Sequence, residues 1–153
     1  MNTPNLRLGL NFSTSPTPPT PLVGLQIPIR RNLSTSVYLT AQPKDAYFAA
    51  MLRPQVEFFR NERLIFSAYA EAGAGYFLHG LLPSFPGGAQ VQTGLGLEGC
   101  ILFSQQNGFC TSVGYGGAWM ERAMYNSPSS LGRREGWDGR NLLSIGLTIF
   151  FGI

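Results

Sequence analysis

The chain has 153 residues, enough for one domain and too short for two on the usual size range. Only 12% are charged, about half the roughly 25% of ordinary globular chains, while 44% are hydrophobic, a balance that argues against a disordered chain. The 19 glycines and 11 prolines argue against long helices, and a net charge of only +3, with adjacent cations only at Arg30-Arg31 and Arg133-Arg134, leaves no basic stripe for nucleic acid.

Leu6, Leu8, Leu10 and Phe12 alternate with Asn5, Arg7, Gly9 and Asn11, the two-residue period of a half-buried strand. A Pro-rich stretch from Ser13 to Pro21 reads as a stiff surface loop. Val23, Leu25, Ile27 and Ile29 then alternate with Gly24, Gln26 and Pro28. After a tight turn at Arg30-Arg31-Asn32, Leu33, Thr35, Val37, Leu39 and Ala41 oppose Ser34, Ser36, Tyr38, Thr40 and Gln42. Beyond a loop around Pro43-Lys44-Asp45, a fourth strand sets Leu52, Pro54, Val56 and Phe58 against Arg53, Gln55, Glu57 and Phe59.

A polar turn from Arg60 to Arg63 leads into Leu64, Phe66, Ala68, Ala70, Ala72, Ala74 and Tyr76, opposed by Ser67, Tyr69, Glu71, Gly73 and Gly75. The loop from Leu78 to Gly88 holds the sole histidine, His79. Val91, Thr93, Leu95, Leu97, Ile101 and Phe103 follow, against Gln90, Gln92, Gly94, Gly96, Glu98 and Cys100. A turn is expected at Gln105 to Gly108, with Asn107-Gly108 as its strongest local signal. Phe109, Thr111, Val113, Tyr115 and Trp119 then oppose Cys110, Ser112, Gly114 and Gly116. After a long polar loop from Glu121 to Gly139, the last strand sets Leu143, Ile145, Leu147, Ile149, Phe151 and Ile153 against Ser144, Gly146, Thr148, Phe150 and Gly152.

Eight strands joined alternately by short turns and long loops close into an antiparallel up-and-down barrel, a single domain over residues 1–153. Which face meets water follows from chemistry. The apolar face of all eight strands carries no charged residue, as a lipid-facing surface requires, since Arg or Lys at the bilayer midplane costs about 2–4 kcal/mol. The other face is mostly Gly, Ser, Gln, Thr and Tyr, and its charges, Arg7, Arg53, Glu57, Glu71, Glu98 and Arg140, are near balance, which suits an enclosed ion-pair network. The fold expected is therefore an all-β, eight-stranded transmembrane barrel.

Aromatic placement adds a second indication, because membrane barrels concentrate aromatics at their two interfaces. Phe58, Phe66, Phe103, Phe109 and Phe151 share the apolar parity at the short-turn ends, and Phe12, Tyr76 and Trp119 share it at the long-loop ends. No run of about 18 apolar residues exists for a transmembrane helix. Met1 to Leu8 lacks the basic and apolar regions of a secretory signal, so the chain reads either as retained inside the cell or as a mature form restarted at a Met.

In this pattern the chain resembles the small eight-stranded outer-membrane β-barrel proteins of Gram-negative bacteria over nearly its whole length. The most local likeness is Ser144-Ile145-Gly146-Leu147-Thr148-Ile149-Phe150-Phe151, similar to the C-terminal strand that the barrel-assembly machinery recognises, although Gly152 and Ile153 follow it here. The resemblance implies the bacterial outer membrane as location and that machinery as a partner. It also raises a lipid A-modifying enzyme as a competing reading, since barrels of that kind use a His with a Ser and an acid near the outer rim. Here that means His79, Ser84 and either Asp138 or Glu121, but no His-x-Ser motif joins them, and His79 reads better as a solvated loop residue.

The lumen face yields the remaining expectations. If the hairpin at residues 60 to 63 centres on Glu62, Arg53 and Glu71 lie directly opposite as a buried ion pair, acting either as a plug or as a gate for solutes; eight strands leave no open channel and favour the plug. The lumen glycines make room for Tyr38, Phe59, Tyr69 and the charges, or else leave a small cavity beside strands five to seven. A turn centred on Gln105 opposes Cys100 and Cys110 and lets them bond, whereas one centred a position later leaves them diagonal and free. Arg122, Arg133, Arg134 and Arg140, with Trp137, read as solvated loop residues or as a rim for lipopolysaccharide phosphates.

The reading favoured is a non-enzymatic integral outer-membrane barrel without metal or cofactor, with a structural or partner-binding role through its long loops, alone or within an envelope complex. The same alternation also fits a soluble ligand-carrying barrel with its faces reversed, and a human-made barrel written to the same rules.

Overall fold

The computed structural model describes residues 3–13, 19–42, 47–77, 88–121 and 137–153, with backbone placement alone for residues 42, 77, 120–121 and 137–140. The strands are β1 (Asn5–Ser13), β2 (Thr20–Arg30), β3 (Leu33–Gln42), β4 (Tyr47–Arg60), β5 (Leu64–Phe77), β6 (Gly88–Leu102), β7 (Asn107–Glu121) and β8 (Trp137–Gly152). Each pairs antiparallel with its sequence neighbours, and β1 returns to β8 through Asn5↔Gly152 to Ser13↔Ser144. Closure leaves the sheet with no free edge along this seam, so the backbone polar groups there are paired within the wall.

Two strands start earlier than the alternation indicates. β4 begins at Tyr47, where Ala49 and Ala50 offer no contrast between faces, and it adds Phe48 to the outer surface opposite Tyr76. β8 begins at Trp137, inside the stretch read as loop, because β7 runs on to Glu121 and its ladder carries Asp138 and Arg140 along. Residues polar on both faces give no period to read, although the backbone pairing continues through them.

The short turns are organised by side-chain caps. Asn61 Oδ1 accepts from the backbone N–H of Arg63 at 2.8 Å and of Leu64 at 2.6 Å. Ser104 Oγ accepts from the N–H of Gln106 and Asn107, which places the β6–β7 turn at residues 103–106 rather than at Gln105 to Gly108. Asn107 and Gly108 are already strand. Gly108 is buried, and a Cβ there would meet the Phe150 ring at 2.6 Å, so the glycine serves packing and not the turn.

One bulge corrects both the register and the facing of β4. Near the turn the pairs are Arg60↔Ile65 and Phe59↔Phe66, but beyond a shift at Glu57 the register becomes Gln55↔Tyr69 and Leu52↔Ala72. Arg53 and Glu71 are thus opposed, although the hairpin tip itself is not centred on Glu62. The extra residue turns Phe59 outward beside Phe58, where it tilts against Phe66 at 5.8 Å between ring centroids. Phe59 therefore does not fill the lumen, as its simple parity implies.

Among the described residues thirty large apolar side chains are exposed, and the charged strand side chains reach their outward face only at Arg30, which ends β2 just past a register shift at the rim, so the surface between the rims is complementary to hydrocarbon. Leu95, mid-strand and 68% exposed, is the clearest single test. Leu95→Arg is expected to destabilise the barrel in lipid vesicles by about 2–4 kcal/mol in urea titrations. An unchanged midpoint would mean that Leu95 faces water.

Candidate functional site

The barrel interior is a stack of side chains. Near the short turns, Ile65, Cys100, Cys110 and Phe150 form an apolar cluster with Leu102; toward the long loops, Leu22, Tyr38 and Met51 form another. Between them lies the charge network. Alternation puts Arg7 on β1, Arg53 on β4, Glu71 on β5 and Glu98 on β6 into the same enclosed space.

Glu98, fully enclosed, is its hub. Arg7 Nη1 donates to both Glu98 oxygens at 2.8 Å, and Arg53 Nη1 lies 3.8 Å from Oε2. Arg53 also donates to Glu71 Oε2 from Nη2 at 2.7 Å and from Nε at 3.2 Å. Two arginines and two glutamates make the quartet neutral, which is the condition for holding charges out of water. Arg7 also donates from Nε to Gln26 Oε1 at 3.0 Å and from Nη1 to the Tyr38 hydroxyl at 3.2 Å, and Gln26 Nε2 passes the chain on to Ser34 Oγ at 2.7 Å.

Of the six lumen charges expected to join, four do so. Glu57 instead pairs with Arg60, three residues along its own strand, at 2.8 Å near the mouth. Glu57 stays on the lumen face opposite buried Ser67, and the bulge just beyond it returns Arg60 to that face opposite Ile65, within reach of its carboxylate. Arg140 stands opposite Ala118 in the ladder, and its side chain lies outside the described residues. The loop positions His79, Ser84, Arg122, Arg133 and Arg134 also lie outside them, as do the side chains of Glu121, Trp137 and Asp138.

Aromatic rings complete the site, a role that alternation alone does not reveal. Arg53 is sandwiched, its guanidinium carbon 4.2 Å from the Tyr69 ring centre and 5.0 Å from that of Tyr38. Each ring lies over a glycine directly across the ladder, Tyr38 over Gly24 and Tyr69 over Gly96, where an added Cβ would overlap the ring. Gly114 receives the Tyr69 hydroxyl, Gly75 the Tyr47 ring and Gly73 the Met51 side chain. The signal was available in the register: a lumen Tyr opposite a lumen Gly on the next strand. These glycines are occupied by neighbouring side chains, which argues against the cavity beside β5 to β7 as far as the described residues reach.

Cys100 and Cys110 are directly paired in the ladder, and their sulfurs are bonded at 2.09 Å. The bond closes a short loop, and such a link stabilises by about 3 kcal/mol through the unfolded chain. A Glu98 carboxylate oxygen and the two sulfurs lie within 4.8 Å of one another, but the sulfurs bond each other and Arg7 donates to both carboxylate oxygens, so this donor set is already spent.

Most outward aromatics fall at two levels, with Tyr115, opposite mid-strand Leu95, standing between them. Phe58, Phe66, Phe103, Phe109 and Phe151 stand near the short turns, while Phe12, Tyr76 and Trp119 stand at the opposite ends, joined by Phe48.

The sequence matches no protein-family model and no curated protein. Solved structures are similar to it in fold. The N-terminal β-barrel domain of Pseudomonas aeruginosa OprF superposes with a TM-score of 0.68 at 9% identity, covering 99% of this chain and 98% of that one. A transmembrane β-barrel from de novo design gives 0.62 at 13% identity over 99% and 96%. Neisserial surface protein A gives 0.53 at 10% identity over 99% and 95%. The fold is thus that of eight-stranded transmembrane barrels of the outer-membrane type, as the sequence pattern indicates.

The network predicts unequal consequences for two glutamates on the same face. Glu98→Ala leaves Arg7 and Arg53 enclosed without their shared partner and is expected to lower stability by about 3–5 kcal/mol. Glu57→Ala removes a half-exposed pair and should change it by about 0–1 kcal/mol. Urea unfolding of both variants in detergent micelles measures the difference, and equal losses would contradict the hub role of Glu98.

Proposed function

We propose that the chain is a non-enzymatic integral barrel of the bacterial outer membrane, with a structural or partner-binding role exercised through its long loops, alone or as a subunit of an envelope complex. The observation that carries this reading is the division of faces: an apolar exterior, uncharged between its rims, around an interior whose charges cancel in place. Such an interior is spent on holding itself together. Its described acids are bound to arginines, and the ring of Tyr38 and Tyr69 around Arg53 fills the passage.

The bilayer is the first partner. Phe58, Phe66, Phe103, Phe109 and Phe151 anchor one interface, and Phe12, Tyr76 and Trp119 the other. The Ser144 to Phe151 strand serves recognition by the barrel-assembly machinery, and Arg122, Arg133, Arg134 and Arg140 offer cations to lipopolysaccharide phosphates from the loop side. The competing lipid-modifying reading needs His79 as base with Ser84 and either Asp138 or Glu121, and deacylation or acyl transfer lost in His79→Ala would establish it.

A plugged lumen makes a direct electrical prediction. In planar bilayers the protein is expected to pass no stepwise current, and Arg53→Ala should also pass none, because Tyr38, Tyr69, Met51 and Phe150 still occupy the interior. Ohmic steps from the unaltered protein would overturn the plug, and steps appearing only in Arg53→Ala would make the quartet a gate.

A further inference from the structure

The rim at the short-turn end is electrically lopsided. Arg30 ends β2 and Arg31 opens the β2–β3 turn, and Arg60 and Arg63 bracket the β4–β5 turn, whereas the β6–β7 turn, Phe103-Ser104-Gln105-Gln106, carries no charge. The two basic turns are held side by side, because the Glu57 N–H donates to the Asn32 carbonyl at 2.8 Å. Four arginines against Glu57 and Glu62 leave this quadrant with two positive charges in excess. Glu57 is engaged by Arg60, and among the described residues no carboxylate lies within 4 Å of Arg30, Arg31 or Arg63.

What lies beside the cations narrows the partner. Just along the strands from these turns, Ile29, Phe58, Phe59 and Phe66 face outward, with the Phe66 ring 6.5 Å from Phe58 and 5.8 Å from Phe59. Exposed guanidinium groups thus stand where an apolar belt ends, the level at which hydrocarbon gives way to headgroups. The recess between the turns, lined by Arg30, Arg31, Glu57, Asn5, Gln26 and Ser34, is only about 10 Å³, room for about one water and too small to enclose a free phosphate. All four arginines are exposed to the surroundings.

We propose that this arginine quadrant binds the headgroup phosphate of an anionic phospholipid in the leaflet facing the short turns, with the lipid chains lying against Phe58, Phe59 and Phe66. The guanidinium fork donates paired hydrogen bonds to phosphate oxygens, and the net positive charge selects a headgroup with no ammonium of its own. The inference rests on the membrane reading above. It differs from the lipopolysaccharide reading in using the opposite rim.

The test uses the full chain in zwitterionic micelles, followed by amide NMR during titration with short-chain phosphatidylglycerol. Parallel titrations use short-chain phosphatidylcholine and inorganic phosphate. Saturable shifts are expected at Arg30 to Asn32 and Asn61 to Leu64, and none at Ser104 to Gln106, with phosphatidylglycerol alone as the effective ligand. Replacing Arg30, Arg31 and Arg63 with Gln should weaken binding roughly tenfold or more, with the β5–β7 amide pattern unchanged as evidence of folding. Equal responses to phosphatidylcholine, equal responses in all three turns, inorganic phosphate binding as tightly, or an unaffected triple variant would each overturn the proposal. A chain that stays dispersed without detergent would instead overturn the membrane reading itself.

Discussion

Hydrocarbon offers a protein neither a hydrogen-bond partner nor a counter-charge, and that single condition orders this structure. Every backbone donor and acceptor in the wall must find its partner on a neighbouring strand, which closure from β1 to β8 provides. Every side chain on one parity must be neutral and mostly apolar. The charges that remain in the strands are pushed to the other parity, so they meet in a space too narrow for water to solvate them separately. The low charge content of the sequence and the neutrality of the lumen quartet are two consequences of the same exclusion.

Inside, Glu98 determines what the other groups can do. With both of its oxygens on Arg7 and one near Arg53, it joins opposite walls of the barrel, from β1 to β6 and on to β4. Arg53 is then free to reach Glu71 and to lie between Tyr38 and Tyr69, and those rings need Gly24 and Gly96 beneath them. Substituting a larger residue at either glycine displaces a ring from an arginine, so the small residues and the charge network are one packing problem. The disulfide borders the same network, its Cys100 sulfur 3.6 Å from Glu98 Oε1.

Much of this is legible in the alternation. Strand number, order and facing follow from the period-two pattern, since a barrel wall with one lipid face enforces polarity contrast at nearly every residue. The pattern weakens wherever that contrast is absent. Ala49 and Ala50 hide the start of β4, and Asp138 to Asn141, polar on both faces, hide the start of β8. The bulge after Glu57 is invisible because an unpaired residue in one strand leaves no trace in composition, yet it sends Phe59 outward and brings Arg60 to Glu57. The pairing of Cys100 with Cys110 turned on a one-residue choice of turn centre, decided by Ser104 capping the turn rather than by the Asn107-Gly108 dipeptide. Tyr38 and Tyr69 as clamps on Arg53 required knowing register across three strands, which spacing along one chain does not contain.

The central claim is that the barrel's outer parity is solvated by lipid chains and its inner parity by protein. Nuclear Overhauser contacts between lipid acyl protons and protein methyl groups, measured with the barrel in lipid nanodiscs, test it most directly. The account predicts acyl contacts for Leu25, Leu39, Leu52, Leu95 and Leu147, which are exposed, and none for Leu22, Met51 and Ile65, which are apolar but turned inward. Acyl contacts at the second group, or water contacts throughout the first, would contradict it.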